Sequence, residues 1–175
     1  MSFASLRSQL SKGPARFSVI QVVYASRSAV PQGAKLTVLS AIQAASYRRN
    51  AERSITGFLI NDGQFFYQAL EGPASCVTAL LDRIREDPRH SDMRVLAESS
   101  IQVRGFAEWS MVSWMRTAAK LSIFAQHGLN DRLDLGSMQA PRVLALARDL
   151  QACETAVRRP RSFRASVRPR ALAAW

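Results

Sequence analysis

Residues 55–72 read ITGFLINDGQFFYQALEG, and this stretch decides the fold. Two apolar runs rich in β-formers, Ile55 to Ile60 and Gln64 to Leu70, flank Asn61-Asp62-Gly63. Those three residue types tolerate positive φ, so the pattern predicts two antiparallel strands joined by a tight turn. Upstream, FSVIQVVY at residues 17–24 is another β-type run, with Tyr24 at its end and a break at Pro31 and Gly33. Leu36, Leu39, Ile42 and then Ala45 or Ser46 recur at helical spacing, which predicts a helix from Leu36 to about Arg48. Downstream, Val77, Leu80, Leu81 and Ile84 predict a second helix that starts after Pro73 and stops before Asp87-Pro88. Met93 to Val103 and Trp109 to Trp114 read as two further strands.

The resulting order is β-α-β-β-α-β-β. A β-α-β unit crosses over right-handed, which puts both helices on one face of a mixed sheet. The expected fold is a ferredoxin-like α+β sandwich. Two more helices are expected at Thr117 to Gln126 and Pro141 to Ala152, around a polar loop at Gly128 to Gly136. They would cover the open face of the sheet or form a dimer or partner surface.

Charge divides the chain. Of its 175 residues, 24 are Lys or Arg and 13 are Asp or Glu, a net charge of +11. Residues 1–16 hold three basic residues and no acid, and residues 155–175 hold six arginines, Arg158 to Arg170, and no acid. The stretch between is nearly balanced. The expected organisation is a mobile basic start (1–16), a nearly neutral folded domain (17–114), a helical extension (115–154) and an Arg-rich tail (155–175). The tail could attract nucleic acid or another acidic partner by a salt-sensitive force, though solvated ends of this kind are more often inert. No apolar run is long enough for a transmembrane segment and no secretory signal opens the chain, so a cytoplasmic setting is expected. Cys76 and Cys153 lack metal-ligand spacing, and Cys76 reads as a reduced thiol in a helix.

Motifs for nucleotide hydrolysis, acyl transfer and zinc chemistry are absent, and His90 and His127 are too few for a metal site. An enzyme is therefore not expected. What remains is a polar set: Tyr24, Asn50 after the first helix, and Gln68 inside an apolar strand. Alternation puts Phe66, Gln68 and Leu70 on the helix-covered face. A buried amide needs partners, and backbone groups or Tyr24 would meet that need without any function.

The runs SYRRNAERSITG (46–57), FFYQALEG (65–72), DPRH (87–90) and FAEWSM (106–111) together resemble the BLUF family, blue-light sensors using FAD. The resemblance extends over about Phe17 to Ser113. It implies a flavin held non-covalently between the two helices, with Tyr24 as electron and proton donor and Gln68 bridging it to the ring. Asn50 would bond the pyrimidine edge and Arg49 would lie near the C2 carbonyl, a position where members differ. Ile42 and Phe66 would pack on the ring, with Ser46 nearby. Arg53, Arg89 and His90 would lie towards the ribityl and phosphate end. Trp109 and Met111 would alternate on the fifth strand and relay the signal. FMN or riboflavin would fit the same ring site as FAD. No effector follows in this sequence, so output in trans to a partner protein, with possible homodimerisation, is expected. A flavin-free ferredoxin-like binding module and an acylphosphatase-like hydrolase using Arg49 and Asn50 are the competing readings.

Overall fold

The computed structural model describes residues 19–129 and 138–158, with side chains to residue 156. The chain order is β1 (Val19–Ser28), α1 (Lys35–Glu52), β2 (Thr56–Asn61), β3 (Phe65–Pro73), α2 (Ala74–Arg85), β4 (His90–Ile101), β5 (Val112–Met115), α3 (Leu121–Gln126) and α4 (Ala140–Arg158). One sheet of order β4-β1-β3-β2-β5 carries all five strands. Every pairing is antiparallel except β2 with β5. This is the expected α+β sandwich, with helices on both faces.

The decisive hairpin forms as its chemistry dictates. Asn61 Oδ1 accepts the Gly63 N–H at 2.8 Å, and Asp62 Oδ1 accepts those of Gln64 and Phe65 at 2.8 and 2.7 Å. Gly63 takes φ +106°, a conformation that glycine adopts without Cβ strain. β3 emerges as the central strand, and only its last residue, Pro73, escapes full burial. Pro73 also caps α2, where its missing N–H costs nothing.

Two cores lie on the two sides of the sheet. One joins Tyr24, Leu59, Phe66 and Leu70 to Leu39 of α1 and to Val77 and Leu81 of α2. The other joins Val23, Phe58, Tyr67 and Ala69 to Phe124 of α3 and to Val143, Leu146 and Leu150 of α4. The C-terminal helices therefore cover the face that the first two helices leave open. Burying each large apolar side chain contributes roughly 1.5–3 kcal/mol before the entropy of ordering is subtracted.

Several boundaries differ from expectation. β1 continues to Ser28, so Tyr24 is mid-strand; polar Ser26 and Arg27 hid the continued pairing with β3 and β4. α1 runs to Glu52, so Asn50 sits in its last turn rather than after it. β4 begins at His90, and β5 begins at Val112 instead of Trp109. A 3-10 turn at Ala118–Lys120 precedes α3, and α4 extends past Ala152 to Arg158. The basic start, the tail beyond Arg158 and most of the loop before α4 lie outside the described residues.

Candidate functional site

β1 and β3 pair with Tyr24 opposite Gln68, and Leu59 of β2 is opposite Gln68 on its other side. Alternation turns Tyr24, Phe66, Gln68 and Leu70 towards α1 and α2. Between those helices lies a cleft of about 360 Å³, lined by Tyr24, Gln68 and Met111 at its floor. Ile42, Ser46, Arg49, Asn50 and Arg53 supply the α1 wall. That volume falls in the roughly 300–1,000 Å³ range of small-molecule sites.

Tyr24 is fully buried and its hydroxyl donates to Gln68 Oε1. Burial, reinforced by the Asp87 charge, pushes the phenol above its ordinary range, so Tyr24 holds its proton at any physiological pH. The other end of the same amide, Gln68 Nε2, reaches Met111 Sδ at 3.6 Å. A buried amide is thus placed between a proton donor and a soft acceptor. Asn50, 3% exposed, donates through Nδ2 to the Ser110 carbonyl at 3.1 Å. Its Oδ1 accepts no hydrogen bond among the described residues, which leaves an acceptor free for a ligand N–H.

His90 stands at the far end of the cleft. Its ring packs on Phe66 with centroids 4.6 Å apart, and its Nδ1 lies 2.8 Å from Ser26 Oγ. Burial pulls its pKa down to about 4, so it is neutral near pH 7. Next to it Arg89 Nε bonds Asp87 Oδ1 at 2.8 Å, and this grip holds the Asp87 carboxyl below the usual carboxylate range. Arg89 is therefore already paired.

The structure brings Tyr24, Ile42, Ser46, Arg49, Asn50, Arg53, Gln68, Arg89, His90 and Met111 to one cleft. It separates others. β1 and β2 run parallel, so α1 descends between them, and α2 runs the opposite way from β3 to β4. Arg53, at the C-terminal end of α1, consequently lies at the opposite end of the cleft from Arg89 and His90. The three do not share one end, as the sequence reading had it. Phe66 lies beneath His90 and not on the cleft wall.

The largest correction concerns Trp109 and Met111. They do not alternate on a strand, because residues 102–111 precede β5 and form no ladder. Trp109 N–H instead closes a turn onto Phe106 O at 3.0 Å. Met111 points into the cleft-side core, while Trp109 packs on the other core, 4.8 Å from Phe106 and 5.4 Å from Trp114 between ring centroids. Sequence reasoning also missed Cys76, Ala79, Leu80, Arg83 and Asp87 as cleft residues. The i, i+3, i+4, i+7 spacing along α2 was the available signal. Cys76 in particular lines the cleft as a half-buried free thiol. Among the described residues no cluster of His, Cys, Asp and Glu could hold a metal ion, and no helix is long and apolar enough to cross a membrane.

The family described as "Sensors of blue-light using FAD" matches residues 19–112. A photoactivated adenylate cyclase subunit beta of Euglena gracilis is 45% identical over 76 residues, which are 43% of this chain and 9% of that protein. Its counterpart in Euglena longa matches equally, at 45% over 76 residues. The match thus spans about a tenth or less of the length of these curated relatives. Among solved structures, the dark state of BlrB, described as a BLUF protein, superposes with TM-score 0.63 at 25% identity. That match covers 78% of this chain and 97% of BlrB. The photo-activated state of BlsA superposes with TM-score 0.64 at 25% identity, covering 75% of this chain and 94% of BlsA.

Proposed function

Because the chain belongs to the BLUF family, flavin-binding sensors of blue light, we propose that its cleft binds a flavin non-covalently and that light rearranges the Tyr24–Gln68 pair beside it. The observation that carries this reading is the buried hydrogen bond from the Tyr24 hydroxyl to Gln68 Oε1 on the cleft floor. The residues present suit the group: an apolar slot between helices, a free amide acceptor at Asn50 and an amide able to present donor and acceptor at Gln68.

When bound, the flavin supplies a blue-light excited state that accepts an electron. Tyr24 would be the residue placed to donate to it, with its hydroxyl proton held on Gln68 Oε1. Gln68, able to present a donor at one end and an acceptor at the other, would then rest in a changed orientation or tautomer once Tyr24 had regained both its electron and its proton. Asn50 orients the ring edge, while Ile42 and Leu80 exclude water from the slot. His90, neutral and stacked on Phe66, adds no charge to the site.

Arg49, Arg53 and Arg83 on the walls favour a phosphorylated flavin, in keeping with FAD as the resident form. The same walls admit FMN or riboflavin by the ring alone. The change at Gln68 reaches Met111 first, and the segment before β5 carries it to the α3/α4 side. A partner protein in the cytoplasm reads it in trans, and the chain itself performs no reaction.

An absorption spectrum of the purified protein, before and after blue light and through dark recovery, tests the proposal. Flavin bands that shift to the red on illumination and return in the dark are expected. A colourless protein would favour a flavin-free binding module, and flavin bands that do not shift would overturn the switch at Gln68.

A further inference from the structure

We propose that Glu71 is a positioning residue of the switch: its buried carboxylate anchors the segment 105–111, and so confines light-driven movement to the part of that segment nearest Gln68. The inference rests on the sensor reading above. Glu71 is fully buried, on the face of β3 opposite the cleft. Its Oε1 accepts from Gln21 Nε2 at 2.7 Å and from the Gly105 N–H at 3.0 Å, and its Oε2 accepts the Phe106 N–H at 3.0 Å. A carboxylate is costly to desolvate, so it rests where such donors converge and resists leaving them.

Two of those donors belong to the backbone between β4 and β5. Strand pairing does not hold residues 102–111, so individual bonds must. Gly57 N–H donates to Trp109 O at 2.7 Å, Asn50 Nδ2 to Ser110 O at 3.1 Å, and Gln68 Nε2 meets Met111 Sδ at 3.6 Å. β3 therefore grips one segment twice, at Met111 through Gln68 and at Gly105 and Phe106 through Glu71. A thioether is a weak acceptor and a carboxylate a strong one. Rotating the Gln68 amide releases the weak grip and leaves the strong one. The segment then pivots at Phe106, and Trp109, between the two grips, moves against Phe58 and Trp114.

Arg104 also ties the connection, to Ser54 O at 2.6 Å and Thr56 Oγ1 at 3.1 Å, but it lies outside the pivot and towards β4. Glu71 is three residues from Gln68 on the same strand, so the two grips share one rigid support.

The test compares the flavin-loaded wild type with Glu71→Gln, by backbone hydrogen exchange in the dark and under blue light together with absorption. In the wild type, light is expected to speed exchange at 107–111 and leave Gly105 and Phe106 protected. Glu71→Gln turns an amide donor towards a backbone donor. It is expected to raise dark exchange at 105–111 by at least about tenfold, the scale of one lost charge-assisted hydrogen bond. The light-dependent increment should vanish, while flavin affinity and the red shift persist and dark recovery changes by at least about threefold. Unchanged exchange and recovery in the variant would overturn the proposal. So would loss of flavin in step with loss of the shift, which marks plain damage to the fold. If Glu71→Gln does not fold, Gln21→Leu removes one donor and should shift dark exchange the same way, by about threefold; no shift overturns it. A wild type without flavin or red shift would sink the sensor reading, whereas the dark-exchange comparison still decides whether Glu71 anchors the segment.

Discussion

Tyr24 and Gln68 meet across the central strand pair, so a phenol and an amide stay in contact without the help of a mobile loop. That rigidity makes their roles separable by substitution. Gln68→Leu keeps the volume of the site and removes both donor and acceptor; it should retain the flavin and abolish the red shift, read by difference absorption. Tyr24→Phe removes only the hydroxyl and should retain colour while losing the photocycle, read by flash spectroscopy. His90 adds a pH effect of definite sign. Its folded pKa of about 4 is below the ordinary 6.5, so between those values the unfolded chain binds a proton that the folded chain refuses. This contribution to stability is present above about pH 6.5 and is lost as pH falls towards 4. Melting curves from pH 7 to 4 should show a steeper loss for the wild type than for His90→Phe. Gln68 also marks how far residue-level reading reaches. Its face followed from alternation, but whether Tyr24 or the backbone satisfied it depended on register, which a single strand does not reveal.

At the scale of elements, the contrast lies between β3 and the segment before β5. β3 sits in the middle of a ladder, so its period of two held, and Phe66, Gln68 and Leu70 share a face. Residues 102–111 have no ladder and are placed by Glu71, Gly57 and Asn50 instead. Alternation fails there, and Trp109 and Met111 part to opposite cores. Gly57 shows the same tertiary control. It has φ +153°, and a Cβ there would collide with the Ala69 carbonyl oxygen. Gly57→Ala should cost about 2 kcal/mol or more, measured by chemical denaturation, because strain and collision add. It should also loosen the Trp109 carbonyl that the Gly57 N–H holds.

The whole molecule is a sheet with a separate core on each side, and the division assigns tasks. The α1/α2 side holds the cleft; the α3/α4 side holds the aromatic group of Phe58, Phe106, Trp109 and Trp114. Leu146 of α4 is fully buried in that second core. Leu146→Ala should cost about 2–5 kcal/mol of stability by denaturant titration, yet leave the flavin spectrum unchanged, since it belongs to the core on the far side of the sheet from the cleft. A spectrum that shifts with that substitution would mean that the two cores are less independent than their packing indicates.

The sequence by itself determined the element order, the hairpin, the helix-facing side of β3 and the polar trio of Tyr24, Asn50 and Gln68. Those features follow from local periodicity and turn chemistry, which need no knowledge of distant residues. Only the tertiary structure decided that Arg53 and His90 occupy opposite ends of the cleft and that Trp109 turns away from Met111. Each of these depends on the antiparallel run of two helices or on hydrogen bonds between residues far apart in the chain. Such contacts leave no periodic trace in the sequence.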